Sequence, residues 1–299
     1  MSRSRSLVLP MTPDLLDSSI FALIAERAKC LEDKLKSDVI FYNGSIYPSY
    51  FRIFRDFVEQ VKHSSTRDEG TISLVLRTGG GSAETTERMV SVLRQHYSTV
   101  NFVIPDVAMS AGTIFCMSGD RIFMDYASSL GPIDPQVPTP GTGEYVAALG
   151  YLDKVEEITK KGNLAPADVV MLKSLDLGKL ALFEQARDLS VDLLKKWLVE
   201  YKFKDWTVHR TNNAGSPVTN DEKVARAEQI AKDLANHKIW RSHGRNIDVK
   251  RLAELRIEID DYSNDADLTQ AIRAYNDPLT GYVDRMQIPF YVHSHLVQA

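Results

Sequence analysis

Short apolar runs alternate with helical patterns between residues 38 and 125, and this alternation limits the possible folds more than any other feature. The runs are DVIFYNG, TISLVLRTGG, TVNFVIPD and RIFMD, each bounded by turn residues. The segments SYFRIFRDFVEQV and AETTERMVSVLRQHY have apolar residues at helical spacing. Strands that alternate with helices in this way form βαβ units, in which the strands are mostly parallel. The sequence therefore predicts an α/β fold built on a mostly parallel sheet.

The chain on either side of these runs is predicted to be mainly helical. Thr12, followed by Pro13, begins a helix that extends to Leu35. After residue 125 the Pro- and Gly-rich stretch SSLGPIDPQVPTPGTGE predicts an irregular loop, and helical spacing returns from Glu144 to about Phe203. The final part is mixed, and IPFYVHSH is predicted to be a last strand. We therefore predict an N-terminal helix over residues 1–37, a core over 38–203 and a mainly helical C-terminal extension over 204–299.

Composition and charge are those of an ordinary globular protein. Of its 299 residues, 43% are hydrophobic and 25% are charged, and the net charge of −4 lacks the basic footprint of a nucleic-acid-binding protein. No run approaches the roughly 18 apolar residues that cross a bilayer, and Pro10 interrupts the only short apolar run near the N-terminus. Cys30 and Cys116 both lie in apolar segments, which predicts buried thiols in a reducing compartment. We expect a cytoplasmic protein without an integral membrane segment.

Two segments at the ends of predicted strands contain residues suited to acyl transfer. In PDVAMSAGTIF, Ser110 is followed by Ala111 and Gly112, small residues that begin a helix with free N–H groups. In LRTGGGSAETTERM, residues 79–81 are consecutive glycines, whose backbone can turn its N–H groups outward. Ligands of parallel sheets bind beyond the carboxyl ends of the strands, so both segments are expected to face one crevice. A nucleophile beside N–H donors for an oxyanion is what acyl transfer requires.

The same residues also fit other roles. Ser110 is an ordinary N-cap residue, and the glycines fit a tight strand-to-helix turn. Phosphate binding at the glycines is a weaker alternative, because TGGGSAE has neither the GK[ST] ending of a P-loop nor the GxGxxG pattern. His243, between two arginines in WRSHGRN, suits either anion binding or a structural cap. His293 and His295 alternate in YVHSH, but no cysteine or carboxylate is spaced to complete a metal site.

The order TGGGSAETTERM, then IPDVAMSAGTIFCMSGDRIFMDYASSLGPIDPQ, resembles the Clp/crotonase-fold serine peptidases. Among them it is most similar to the signal-peptide-peptidase A-like and serine dehydrogenase proteinase branch, from about residue 38 to about residue 162. A run similar to WRSHGR also occurs in the tail of related proteins. The resemblance implies a Clp/crotonase-like core of repeated ββα units with Ser110 as nucleophile. It also implies an oxyanion hole formed by the amides of Ala111 and Gly80, with Gly81 as a further donor, and no cofactor.

The resemblance leaves the base open. In the Clp branch a histidine lies soon after the strand that follows the nucleophile, but this chain reads GPIDPQ there, with Asp134. The signal-peptide-peptidase A-like branch uses a lysine on a helix beyond that loop. In GEYVAALGYLDKVEEITKKG, Lys160 and Lys161 each follow a glutamate by four residues, which suits solvated ion pairs. Lys154 has more apolar neighbours, and desolvation favours the neutral, basic form, although Glu157 opposes this. Lys154 is therefore the predicted base.

These observations predict serine-type peptide hydrolysis through a Ser110–Lys154 dyad and a glycine-lined oxyanion hole. The expected partners are a peptide or protein substrate and, by resemblance, further copies of this chain in a homo-oligomer. One alternative is a crotonase-type reaction on an acyl-CoA thioester in the same oxyanion hole, although nothing in the sequence marks a CoA site. The other is a non-catalytic scaffold or binding protein on the same fold, with the C-terminal helical part as its binding surface.

Overall fold

The structure, a computed structural model, describes residues 15–138, 145–161, 163–174, 176–210 and 214–297. Helices occur along all of these ranges. They are α1 (Leu15–Leu35), α2 (Pro48–Ser64), α3 (Ala83–His96), α4 (Ala111–Cys116), α5 (Ala148–Thr159), α6 (Pro166–Lys173), α7 (Leu177–Trp197), α8 (Asn220–Ala235), α9 (His237–Trp240), α10 (Val249–Glu254) and α11 (Ala266–Met286). A π-helical turn, Leu198–Lys202, continues α7.

The strands are short. They are β1 (Asp38–Gly44), β2 (Thr71–Arg77), β3 (Thr99–Ile104), β4 (Val107–Ala108), β5 (Arg121–Met124), β6 (Ser129–Leu130), β7 (Gln136–Pro138), β8 (Tyr145–Ala147), β9 (Asp260–Asp261) and β10 (Phe290–His293). The main sheet has the order β10-β1-β2-β3-β5-β9. Its internal pairs are parallel, and β10 adds to β1 in the antiparallel direction. The predicted α/β fold with a mostly parallel sheet is confirmed.

The main sheet is buried on both faces because its side chains alternate between two helical layers. Along β1, Ile40 and Tyr42 join a core formed with α2, α3, α4, α7 and α8. Val39 and Phe41 point the other way and pack against α1 and α11. This explains why the runs read as almost continuously apolar, since each face of the strand needs its own apolar set.

The C-terminal part of the chain contributes to the main sheet at both edges. The last strand that the sequence predicts is present as β10, and β9 pairs with β5. The loop predicted after residue 125 contains β6 and β7, so it is less irregular than expected. Tyr145–Ala147 is a strand, which places the start of the next helix at Ala148. The division at residues 37 and 203 stays a prediction.

The structure corrects one burial prediction and confirms another. Cys30 is exposed. Helix α1 packs against α11 through the face that carries Ala28 and Leu31, and Cys30 lies outside that face. Cys116 in α4 is fully buried, and burial raises the pKa of its thiol. The helix start predicted at Thr12 lies outside the described residues.

Candidate active site

A small second sheet brings the candidate site residues together. β4 pairs in parallel with β6, so that Ala108 lies opposite Leu130. A parallel bridge places Thr78 on the other side of Ala108, and an antiparallel bridge places Ile247 beside Leu130. The Ile247 bridge is made by two hydrogen bonds between backbone groups, of 2.9 and 3.1 Å. We call this row of Thr78, Ala108, Leu130 and Ile247 the second sheet.

The direction of each segment decides which side chains meet at its end. Ser110 and Gly80 each lie two residues beyond the row, and Asp134 lies four residues beyond it. His243 lies four residues before the row, on the one antiparallel segment. The three parallel segments leave the row in one direction, and the antiparallel segment enters it from that side. All four residues therefore lie at the same end of the row. The second sheet therefore gathers a hydroxyl, a glycine backbone, a carboxylate and an imidazole.

Ser110 has a backbone conformation that few non-glycine residues adopt. Its φ is 54° and its ψ is −118°, directly before α4. Such a conformation costs roughly 1–3 kcal/mol and persists only where the surrounding structure holds it. Among the described residues, the Ser110 hydroxyl has no hydrogen-bond partner. The strained turn thus presents a hydroxyl that does not cap the helix. This observation argues against the alternative in which Ser110 is only an N-cap residue.

The atoms around Gly80 and Gly81 leave no room for a side chain at either position. Gly80 has φ +100°, and a Cβ on it would lie 2.6 Å from the Met109 carbonyl oxygen and 2.8 Å from Ser110 Cβ. Gly81 has φ +151°, and its Cβ would lie 2.2 Å from the Ile46 carbonyl oxygen. Both backbone angles and both contacts exclude a side chain. The glycine segment therefore runs in direct contact with the turn that carries Ser110.

The predicted oxyanion donors are not equivalent. The Gly80 N–H donates a 3.0 Å hydrogen bond to the Thr78 hydroxyl. The N–H groups of Gly81 and Ala111 have no hydrogen-bond partner among the described residues. Ala111 N also lies only 3.2 Å from the position of a Cβ on Gly80, so the two segments face each other. Gly81 and Ala111 are therefore the available donors, and Gly80 is engaged.

Thr113 fixes α4 to its neighbours. Its buried hydroxyl lies 2.9 Å from the Ala108 carbonyl oxygen and 2.8 Å from that of Gly131. It also accepts a 3.0 Å hydrogen bond from the Gly131 N–H. One side chain thus joins the helix after Ser110 to the segment that leads to Asp134.

A histidine does reach Asp134, although none is near it in sequence. Asp134 is buried, and its Oδ1 lies 3.0 Å from Nδ1 of His243, while Gln136 Nε2 donates a 2.9 Å hydrogen bond to Oδ2. This contact assigns His243 a carboxylate partner, whereas the sequence offered only anion binding or a cap. Its Nε2 remains for another partner, and Ser110 is not hydrogen-bonded to it in the described structure. In the sequence, Asp134 stands out as a carboxylate after the nucleophile segment, but no pattern predicts that His243 contacts it.

Lys154 does not have the apolar setting that the sequence predicted. Its side chain is 49% exposed, and its Nζ lies 3.0 Å from Glu157 Oε2, one helical turn away in α5. Among the side chains of α5 whose burial is described, the buried one is Ile158 instead. Of the other lysines, Lys160 pairs with the glutamate four residues earlier, as predicted. Lys161 pairs with Asp168, at 3.0 Å, and not with Glu157.

Residues 50–221 match the model of the ClpP-like SDH-type serine proteinases, which is more than half of the chain. The chain belongs to this family. The match includes Ser110, Asp134 and Lys154, but His243 lies beyond it. The membership confirms the resemblance to Clp-fold serine peptidases.

Curated relatives of this proteinase-family chain occur in Methanocaldococcus jannaschii. One uncharacterized protein is 29% identical over 194 residues, which cover 65% of this chain and 53% of the relative. A second is 31% identical over 134 residues, covering 45% of this chain and 43% of the relative. The chain therefore aligns with about half the length of these relatives.

One solved structure to which the chain is similar is a serine-to-alanine mutant of the 1510-N membrane-bound stomatin-specific protease. It is 14% identical, and the alignment covers 76% of this chain and 82% of that one with a TM-score of 0.43. The family assignment rests on the match over residues 50–221. In this chain, none of the helices among the described residues is long and apolar enough to cross a membrane. The described His, Cys, Asp and Glu residues form no group of three or more that could hold a metal ion.

Proposed function

We propose that the chain is a serine-type peptidase with Ser110 as its nucleophile. The observation that carries this proposal is the second sheet, whose register brings Ser110, two free N–H groups and the His243–Asp134 pair to one end of the sheet. The strained φ of Ser110 adds support, because strain of this kind concentrates at functional sites. Membership of a serine proteinase family agrees with the same chemistry.

The geometry favours His243 as the base. Asp134 accepts from Nδ1, which leaves Nε2 as the atom that takes the proton of the Ser110 hydroxyl. A buried carboxylate in this place orients the imidazole and stabilises the imidazolium that forms. Hydrogen bonds between a nucleophile and its base are often long or unformed before substrate binds, so this role does not require a Ser110–His243 hydrogen bond in the free protein.

The Ser110–Lys154 dyad is the second candidate, and the family resemblance supports it. Lys154 would have to leave Glu157 and lose water to act as a base, since only the neutral amine accepts a proton. A rearrangement of α5 or burial against another subunit would supply that change. The test below separates the two bases.

The reaction follows from these groups. The Ser110 oxygen attacks the peptide carbonyl carbon as its proton passes to the base, and the oxyanion accepts hydrogen bonds from the Gly81 and Ala111 amides. Gly80 joins them if its N–H leaves the Thr78 hydroxyl. The base then gives the proton to the departing amine, and water, activated by the same base, hydrolyses the acyl-enzyme.

We also propose that the active form is a cytoplasmic homo-oligomer acting on peptide or protein substrates. Five large apolar side chains between residues 164 and 182 are exposed, and exposed apolar side chains that lie together mark protein interfaces. These are Leu164, Val170, Met171, Leu177 and Leu182.

Hydrolysis of fluorescently labelled casein tests the proposed activity. We expect release of small peptides by the wild type and none by Ser110→Ala, with both proteins folded by circular dichroism. Hydrolysis of an acyl-CoA thioester without cleavage of casein would support the crotonase alternative. Folded protein that cleaves neither substrate would contradict the peptidase proposal and favour the binding protein.

A further inference from the structure

An aromatic patch lies beside the glycine segment. Tyr47, the residue before α2, is 50% exposed, and its ring centroid lies 6.5 Å from that of Tyr50. Tyr50 is stacked on Phe290 of β10, with ring centroids 4.5 Å apart and ring planes within 7°. We call these three residues the aromatic patch. Large aromatic side chains with this much exposed surface are often part of binding sites.

The aromatic patch is fixed to the glycine segment through the backbone. Ile46, the neighbour of Tyr47, donates a 2.9 Å hydrogen bond from its N–H to the Gly80 carbonyl oxygen. Its own carbonyl accepts a 2.9 Å hydrogen bond from the Ser82 N–H. One Cα step of 3.8 Å and two steps of about 5 Å between neighbouring segments set an upper limit of about 14 Å on the separation of the Tyr47 and Ser110 Cα atoms, which is the length of about four residues of extended peptide.

The aromatic patch is also continuous with the core beneath the nucleophile. Phe290 packs edge-on against the buried Tyr42 at 5.3 Å, and Tyr42 packs against Phe54 at 5.9 Å. Phe54 in turn contacts Phe115 of α4, at 6.4 Å between ring centroids. Because α4 begins directly after Ser110, the aromatic patch and the nucleophile share one packed support. A rigid apolar surface loses little conformational entropy when a ligand binds.

We propose that the aromatic patch is a substrate subsite that binds an apolar side chain within about four residues of the scissile bond. This inference rests on the proposed peptidase function. Tyr47 is its most exposed member and the main contact, and Tyr50 and Phe290 form its floor. An apolar side chain is favoured there because it removes exposed ring surface from water, whereas a carboxylate would lose hydration without gaining a partner of opposite charge among these three residues.

The test uses peptides of fixed length that contain one cleavable bond in a chain of Gly, Ser and Ala. Each peptide carries a single leucine, or a single aspartate, and the position of that residue is moved stepwise along the series. For wild type, we expect leucine at one position within about four residues of that bond to raise kcat/KM over aspartate. Tyr47→Ala should lower kcat/KM about ten-fold for that leucine peptide and less than two-fold for its aspartate counterpart. Tyr126→Ala, an exposed tyrosine that contacts Arg273 elsewhere, is the matched control and should change neither.

A binding measurement separates the subsite from the chemistry. The same peptides are titrated against Ser110→Ala protein with and without Tyr47→Ala, and the leucine peptide should bind about ten-fold more weakly without Tyr47. Equal losses for both peptides, or no loss, would overturn the subsite even if wild type cleaves them. Failure of wild type to cleave any peptide would contradict the peptidase proposal instead, while selective binding through Tyr47 would then keep the patch as a binding site.

Discussion

Nδ1 of His243 lies 3.0 Å from Oδ1 of Asp134, although 109 residues separate them in the sequence. The carboxylate is 2% exposed, and Gln136 holds its other oxygen. A carboxylate held on both oxygens fixes the orientation of the imidazole that it contacts. The contact places an imidazole at the end of the second sheet where Ser110 lies.

Removing the charge of Asp134 tests whether this contact serves catalysis. Asp134→Asn keeps the size of the side chain but no longer stabilises an imidazolium, so casein hydrolysis should fall by about 100-fold or more. The control is Gln136→Ala, which removes the second partner of the carboxylate and leaves the imidazole contact, with less than a three-fold change expected. Equal effects of the two variants would indicate that Asp134 only supports the loop.

The close approach of Gly80 to Ser110 makes a second prediction. Gly80→Ala places a Cβ against the Met109 carbonyl and requires a side chain at φ +100°, so it should lower the free energy of unfolding by about 1–3 kcal/mol. It should also lower casein hydrolysis at least ten-fold, because the turn that carries Ser110 must shift. Gly79→Ala is the control, since its Cβ would meet no atom within 4 Å. Urea unfolding and hydrolysis rates of both variants check this, and equal behaviour would contradict it.

The exposed apolar side chains between residues 164 and 182 predict self-association. Leu177 is 78% exposed and Leu182 is 62% exposed, so charges at these positions should disrupt an interface that uses them. We expect light scattering to show an oligomer for wild type and a smaller species for the Leu177→Glu, Leu182→Glu double variant. Met286→Glu, an exposed apolar position at the end of α11, should leave the mass unchanged. A monomeric wild type would contradict the proposed oligomer.

The buried His293 is expected to make the folded protein less stable in acid. Burial, and the nearby His295, lower the pKa of His293 to about 4, and its Nδ1 lies 2.9 Å from the Tyr275 hydroxyl. An unfolded histidine titrates near 6.5, so between these values the unfolded state binds the additional proton. Stability therefore falls as the pH drops from about 6.5 to 4, by on the order of 2 kcal/mol.

Urea unfolding at several pH values measures this effect. His293→Gln removes the titrating group and should flatten the decline between pH 6.5 and 4, even if the variant is less stable at pH 7. His63→Gln changes an exposed histidine at the end of α2 and should keep the wild-type slope. An unchanged slope in His293→Gln would assign the acid sensitivity to other groups.

Much of the fold could be predicted because its patterns are local. β1, β2, β3 and β5 follow from apolar runs with turn residues at their ends, and α2 and α3 follow from helical spacing. The glycine segment and Ser110 could be placed at strand ends for the same reason. Cys30 was misplaced because an apolar segment does not reveal which face of α1 meets α11.

The site could be predicted only in part because its members come from distant segments. The position of His243 depends on the antiparallel bridge between Leu130 and Ile247, and nothing in either segment alone specifies that pairing. The setting of Lys154 depends on which face of α5 is covered, and the neighbours counted along the helix include Glu157 on the exposed side. Local spacing therefore predicted the segment that carries Ser110, but it could not choose between the two bases proposed for it.

The most direct test of the account is the intact mass of the protein after treatment with a small β-lactone, which acylates an activated serine. We predict one adduct on wild type, mapped to Ser110 by peptide digestion, absent from Ser110→Ala and strongly reduced in His243→Gln, but retained in Lys154→Met. An adduct lost in Lys154→Met and retained in His243→Gln would assign the base to the lysine. No adduct on folded wild type, or an adduct on another residue, would contradict Ser110 as the nucleophile.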